Sequence, residues 1–168
     1  KPLEHLQMPT GMRELFAASV FTARLDYNKA PFPTEVTEYI QTVLTDCSLY
    51  DYVDRRQQYY QQLTRQPLPC EETLKDASAL DSIESAARIW DHIVSPLKGK
   101  IVYADIWGTW CGPCKWQMEA VPALKASLKR EGEDGVVFLY ISIFSPEESW
   151  RNVLKEYHLT DPNSVHYN

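Results

Sequence analysis

The sequence predicts an α/β unit behind a helical region. Three observations carry this. Hydrophobic spacing is helical up to about residue 95, it shifts to short β-branched runs from about residue 96, and those runs alternate with helical stretches. An order of strand, helix, strand, helix implies parallel strands joined by right-handed crossovers. The expected organisation is a helical N-terminal region over 1–95 and an α/β domain over 96–168.

The helical region begins with Met12, Leu15, Phe16, Val20 and Ala23 at helical spacing. That stripe is expected to pack inward. After the break at Pro31-Phe-Pro33, Val36, Ile40, Val43, Leu44 and Cys47 continue the period, with Thr34 as the expected N-cap. Leu49–Leu63 reads as a third helix with a thinner stripe, rich in Tyr and Gln. Arg65–Asp76 holds Pro67, Pro69 and Cys70 and reads as a loop. A helix is expected over Ser78–Ile93, with Leu80, Ile83, Ala87, Trp90 and Val94 on one face.

From Lys98-Gly-Lys100, a turn, the pattern changes. Ile101–Trp107 is nearly continuous in apolar residues, as in a strand buried on both faces. Pro113 falls near the start of a helix carrying Cys114, Met118, Val121, Leu124 and Leu128, and Gly132 and Gly135 are expected to end it. Trp116 reads as a partly exposed residue of that helix. Val136–Ile143 is the second strand. Ser145 as N-cap and Pro146 at the first position open a helix through Trp150, Val153, Leu154 and Tyr157.

Composition narrows the function classes. The 168 residues carry a net charge of −6 with acids and bases mixed, and no basic block suggests nucleic acid or an anionic membrane surface. The longest apolar stretch, near Val136–Phe144, is about half of what a bilayer span needs. No signal peptide is visible; Lys1 stands where a methionine would, so any leader is expected to have been removed. Four cysteines are too few for a disulfide-built scaffold but enough for one redox pair and two others.

The chemistry concentrates in Asp105-Ile-Trp-Gly-Thr-Trp-Cys-Gly-Pro-Cys-Lys115. Cys111 falls where a strand meets a helix N-terminus, whose unpaired N–H groups and dipole favour a thiolate. Cys114, one turn on, stays close and more enclosed. Cys111 can attack a partner's disulfide, and Cys114 can then resolve the mixed disulfide. Gly112 and Pro113 turn the chain tightly between them, and Trp110 offers a flat apolar surface to a partner. Asp105, on an apolar strand, is expected to be buried with a raised pKa and to exchange a proton with Cys114. Half of a structural zinc site is the competing account of the pair, with Cys47, Cys70, His158 and His166 as the remaining candidates, none at zinc spacing. Cys47 is expected to be buried on a helix face and Cys70 to lie in a loop. They are free thiols or, in an oxidising compartment, a disulfide.

Trp110-Cys-Gly-Pro-Cys114, with Asp105 and Trp107 at these offsets, resembles the active site of the thioredoxin superfamily. Lys98–Cys114 and Gly135–Ser142, with a following helix that carries Trp150, resemble more specifically the TlpA/ResA-like bacterial disulfide reductases. The likeness covers about residues 96–168, and the helical half resembles N-terminal extensions of larger TlpA-like proteins only loosely. It implies a redox-active Cys111–Cys114 disulfide, no cofactor or metal, and Trp107 as a supporting residue. It also implies protein disulfide substrates, an upstream electron donor, and a periplasmic or otherwise exported location, often with a membrane anchor.

Two departures stand out. Gln117 occupies a position where some relatives carry a proton-transferring glutamate, which shifts that role to Asp105. The thioredoxin fold also continues into a strand preceded by a cis-proline, then two antiparallel strands and a helix. Pro162 is followed by no strand-like run before Asn168. The domain is therefore expected to be C-terminally truncated, with Val136–Ile143 central, Ile101–Trp107 beside it, and one bare apolar edge. Further residues past Asn168, a dimer or a strand-swapped assembly would cover that edge. A partner-binding module with vestigial cysteines and a zinc-stabilised interaction domain are the rival functions.

Overall fold

A computed structural model describes residues 8–130 and 135–168. The chain divides into two compact units, Lys1–Gln66 and Pro67–Asn168. The change of hydrophobic period near residue 95 and this division after residue 66 are different boundaries: the first marks where strands begin, the second where contacts thin out.

The first unit holds α1 (Thr10–Asn28), α2 (Thr34–Val43) and α3 (Cys47–Arg65). Its core is built on Ala17, Ala18, Leu25, Ile40, Val53 and Tyr60. Each large apolar side chain buried here stabilises the unit by roughly 1.5–3 kcal/mol. The stripe expected to face inward on α1 faces out: Met12, Leu15, Phe16 and Val20 are all exposed, Leu15 at 59 %. The buried face is instead Glu14, Ala17, Ala18, Thr22 and Leu25. Two alanines allow a close helix approach, and Glu14 is satisfied by the Thr45 and Asp46 N–H groups and the Thr45 hydroxyl. Thr34 is the first helical residue of α2 and Pro33 its cap. The cap of α3 is Asp46, whose carboxylate accepts from the Ser48 and Leu49 N–H groups. Cys47 opens that helix and is exposed, not buried.

The second unit is a four-stranded, all-parallel sheet in the order β1-β4-β3-β2. Its elements are β1 (Leu74–Lys75), α4 (Ala86–Val94), β2 (Ile101–Trp107), α5 (Gly112–Arg130), β3 (Val136–Ser142), α6 (Glu147–Glu156) and β4 (Ser164–Tyr167). The strand β3 is central, with β2 beside it, as its β-branched run predicts. One face of the sheet, with Trp107, Phe138 and Tyr140, shares a core with Met118 and Val121 of α5 and Trp150, Val153 and Leu154 of α6.

Several expectations change here. The loop after Arg65 contains β1, and the segment after Pro162 contains β4, which pairs with β3 on one side and β1 on the other. Among the described residues there is no cis peptide, at Pro162 or elsewhere. β4 covers one side of β3, so the sheet ends in β2 at one edge and the short β1 at the other. β2 is not buried on both faces: Ile101 and Ile106 are exposed, Ile106 at 62 %. The helix expected over Ser78–Ile93 is interrupted, with a single 3₁₀ turn at Ala77–Leu80 and α4 starting only at Ala86. Pro146 caps α6 in place of Ser145, whose hydroxyl is engaged elsewhere. Gly99 adopts φ +85 in the predicted turn, a conformation that suits glycine. Gly132 lies outside the described residues.

Candidate active site

The site is built where β2 ends and α5 begins. Trp107 closes the strand, and Gly108–Cys111 form a tight turn in which the Cys111 N–H donates to the Gly108 carbonyl at 2.9 Å. Gly112 then starts α5, with the exposed Pro113 second, where a missing N–H costs no hydrogen bond. Cys111 and Cys114 are joined as a disulfide with Cα atoms 5.3 Å apart. Both are half-buried, and Cys114 packs against the core of the unit. The Cys114 N–H points at the Cys111 sulfur, 3.3 Å away. On reduction that donor and the helix N-terminus would favour negative charge on Cys111.

The loop is held from several sides. The Thr109 N–H donates to the Ser145 hydroxyl at 3.0 Å, which itself donates to the Ile143 carbonyl at 3.2 Å. The Ile143 N–H donates to the Trp107 carbonyl at 2.8 Å. The Lys115 ammonium, buried, donates to the Thr109 carbonyl at 2.9 Å. Gly108 has no room for a side chain: a Cβ there would lie 2.5 Å from the Trp110 indole nitrogen and 3.0 Å from the Ile143 carbonyl. The indole thus packs against the loop at Gly108 and remains 46 % exposed. Sequence reasoning missed Gly108, Thr109, Lys115 and Ser145. The glycine beside a tryptophan was a usable signal, whereas the hydroxyl reaching back from the β3–α6 turn was not.

Trp107 is fully buried in the core and so supports the site without forming a groove. Asp105 lies two residues earlier on the same face of β2, opposite Tyr140 in register. It is half-buried, not enclosed, and burial raises its carboxyl above the usual carboxylate range. Burial, followed by the Asp105 carboxylate, pushes the Tyr140 phenol up as well. Tyr140 stacks on His166 with ring centroids 4.8 Å apart, and His166 pairs with Tyr140 in register, so Asp105, Tyr140 and His166 form one row across three strands. Gln117 is exposed.

Among the described residues no three His, Cys, Asp or Glu side chains converge to hold a metal ion. Cys47 and Cys70 are both free, so they form no disulfide.

Comparison with known proteins agrees with this geometry. The family described as thioredoxin-like matches residues 99–168. The thiol-disulfide oxidoreductase ResA of Geobacillus kaustophilus is 29 % identical over 86 residues, covering 51 % of this chain and 48 % of that protein. ResA of Oceanobacillus iheyensis is 38 % identical over 69 residues, 41 % of this chain and 34 % of that one. ResA of Bacillus subtilis is 32 % identical over 69 residues, 41 % of this chain and 37 % of that one. The chain therefore spans less than half the length of these relatives. No solved structure matches. Over residues 99–168 the chain is thus similar to the thioredoxin-like family and, more specifically, to ResA thiol-disulfide oxidoreductases.

Proposed function

We propose that this protein is a thiol–disulfide oxidoreductase that reduces disulfides in exported proteins through a Cys111/Cys114 dithiol–disulfide cycle. The observation that carries the reading is the Cys111–Cys114 disulfide at a strand-to-helix junction, with the Cys114 N–H aimed at the Cys111 sulfur. An upstream dithiol donor supplies two electrons and two protons, opening the bridge and leaving with its own sulfurs oxidised. The Cys111 thiolate then attacks one sulfur of a substrate disulfide. A Cys111–substrate bond forms, the substrate S–S bond breaks, and the departing thiolate takes up a proton. Cys114 loses its proton to Asp105 and attacks the Cys111 sulfur. The mixed disulfide breaks, the second substrate thiolate leaves and is protonated, and the Cys111–Cys114 bridge is restored. Asp105 suits this role because its raised pKa lets it hold a proton at neutral pH more readily than an ordinary carboxyl.

The likeness to ResA proteins also supports action outside the cytoplasm. Among the described residues no helix is long and apolar enough to cross a membrane. A dimer or strand-swapped assembly through the open β2 edge is part of the same proposal.

Insulin reduction driven by dithiothreitol tests the reading. The parent chain should accelerate precipitation of the insulin B chain. Cys111→Ser should fall to background, and Cys114→Ser should accumulate a covalent insulin adduct. In the reduced protein, iodoacetamide should modify Cys111 well before Cys114. Equal activity of parent and Cys111→Ser would overturn the cycle, and equal alkylation would overturn the assignment of roles.

A further inference from the structure

The turn after β3 carries a feature that the dithiol cycle does not use. Phe144 is 90 % exposed, and its backbone has φ +50. A bulky aromatic residue in the left-handed region is an outlier, held only where its surroundings over-determine it. The surroundings do so here. On one side of Phe144 the Ile143 N–H is tied to the Trp107 carbonyl, and on the other the Ser145 hydroxyl bridges the Thr109 N–H and the Ile143 carbonyl. The Ile143 carbonyl and the Trp110 indole converge on Gly108. The turn bearing Phe144 is thus stapled to the loop bearing Trp110 and Cys111. Trp110, Ile143 and Phe144 are all exposed around that staple.

We propose that Phe144, together with Trp110, forms an apolar docking surface through which the Cys111–Cys114 site receives an extended protein segment carrying a disulfide. The inference rests on the proposed disulfide chemistry and adds its selectivity. An aromatic side chain held in water gains most by covering apolar residues that flank a substrate cysteine. A small disulfide has no such residues. Continuity with the redox pair and apolar character together select a protein segment whose cysteine is flanked by apolar residues.

The test compares two disulfides on the full chain with dithiothreitol as donor: insulin and the neutral 2-hydroxyethyl disulfide. Phe144→Gly and Phe144→Asn both suit a positive φ and should fold at least as stably as the parent. Each should raise KM for insulin about tenfold, and the insulin rate should fall several-fold more than the rate with 2-hydroxyethyl disulfide. Phe144→Leu should restore most of the insulin preference. Lys129→Gln, exposed in the last turn of α5 at the opposite end of that helix from the cysteines, should leave both rates unchanged. Rates that fall in equal proportion for both disulfides, or a ratio untouched by either variant, would overturn the docking role alone. A parent chain that reduces neither disulfide would remove the proposed activity and this inference with it.

Discussion

The central buried polar groups of the two compact units are handled differently, although Arg13 Nε of the helical unit is also buried without a partner among the described residues. In the helical unit Gln57 is buried and its amide closes on one residue, donating to the Phe32 carbonyl at 3.0 Å and accepting from the Phe32 N–H at 2.8 Å. Glu14 accepts three hydrogen bonds, and these, led by the Thr45 hydroxyl, hold its carboxyl below the usual range. Tyr60 donates to Asp26, which also pairs with Arg56. In the sheet unit, the Trp107 and Trp150 indole nitrogens and the Tyr140 hydroxyl are buried with no hydrogen-bond partner among the described residues. His166 joins them: the Leu159 carbonyl favours its protonated form slightly, yet neither ring nitrogen makes a hydrogen bond of good geometry. The difference separates two uses of polarity. Satisfied groups fix helix packing, whereas unsatisfied groups keep spare hydrogen-bonding capacity.

The largest test of that contrast is His166. Burial, and then Lys125, lower its pKa from 6.5 to about 4. A lowered base contributes stability that is fully present above pH 6.5 and is lost as pH falls toward 4. The loss amounts to about 3 kcal/mol at 1.36 kcal/mol per pKa unit. Urea unfolding at pH 7 and pH 4 should show it, and His166→Phe should remove most of that slope. A parent and variant with the same pH dependence would place the sheet unit alongside the helical one.

Gln57→Ala comes next. It leaves the Phe32 N–H and carbonyl unpaired in a part-buried setting and should cost about 2 kcal/mol, with little dependence on pH between 5 and 8. A strongly pH-dependent loss would blur the distinction between the units.

The smallest effect belongs to Asp105→Asn. A carboxyl whose folded pKa is raised favours the folded state below its unfolded value near 3.8 and loses that advantage as pH rises. The amide should therefore stabilise the chain at neutral pH and not below pH 3.8, by under about 1 kcal/mol because the group is only half-buried. The same variant should slow release of the Cys114-resolved mixed disulfide, so trapped adducts persist longer. Turnover equal to the parent's would leave Asp105 a structural residue only.

The legible parts of the fold were those whose pattern carries its own environment. Val136–Ser142 is β-branched and buried, and the apolar run Ile101–Trp107 followed by Pro113 marks the strand-to-helix junction that holds Cys111 and Cys114. β4 was illegible because Ser164-Val-His-Tyr167 has no apolar run; its strand character comes from β3, with the Phe138 N–H already bonded to the Asn163 carbonyl. The buried face of α1 was misjudged because alanines and a satisfied glutamate carry little hydropathy, while larger residues lie outside. At the site, the cysteines and Trp110 were visible in sequence. Ser145 was not, because its value is a contact 36 residues away in the chain, at Thr109.

The pairing of Leu74 with His166 sets a timetable for synthesis. A ribosome adding residues one by one completes α1 through α3 early, and the contacts between α1 and α3 are available as soon as Arg65 emerges. β1 emerges next and must wait roughly ninety residues for β4. Over the later part of that interval, from Cys114 to Ser164, the dithiol is already made while its sheet is unfinished. The helical unit can be a settled body on a nascent chain whose redox half still passes as an open thread.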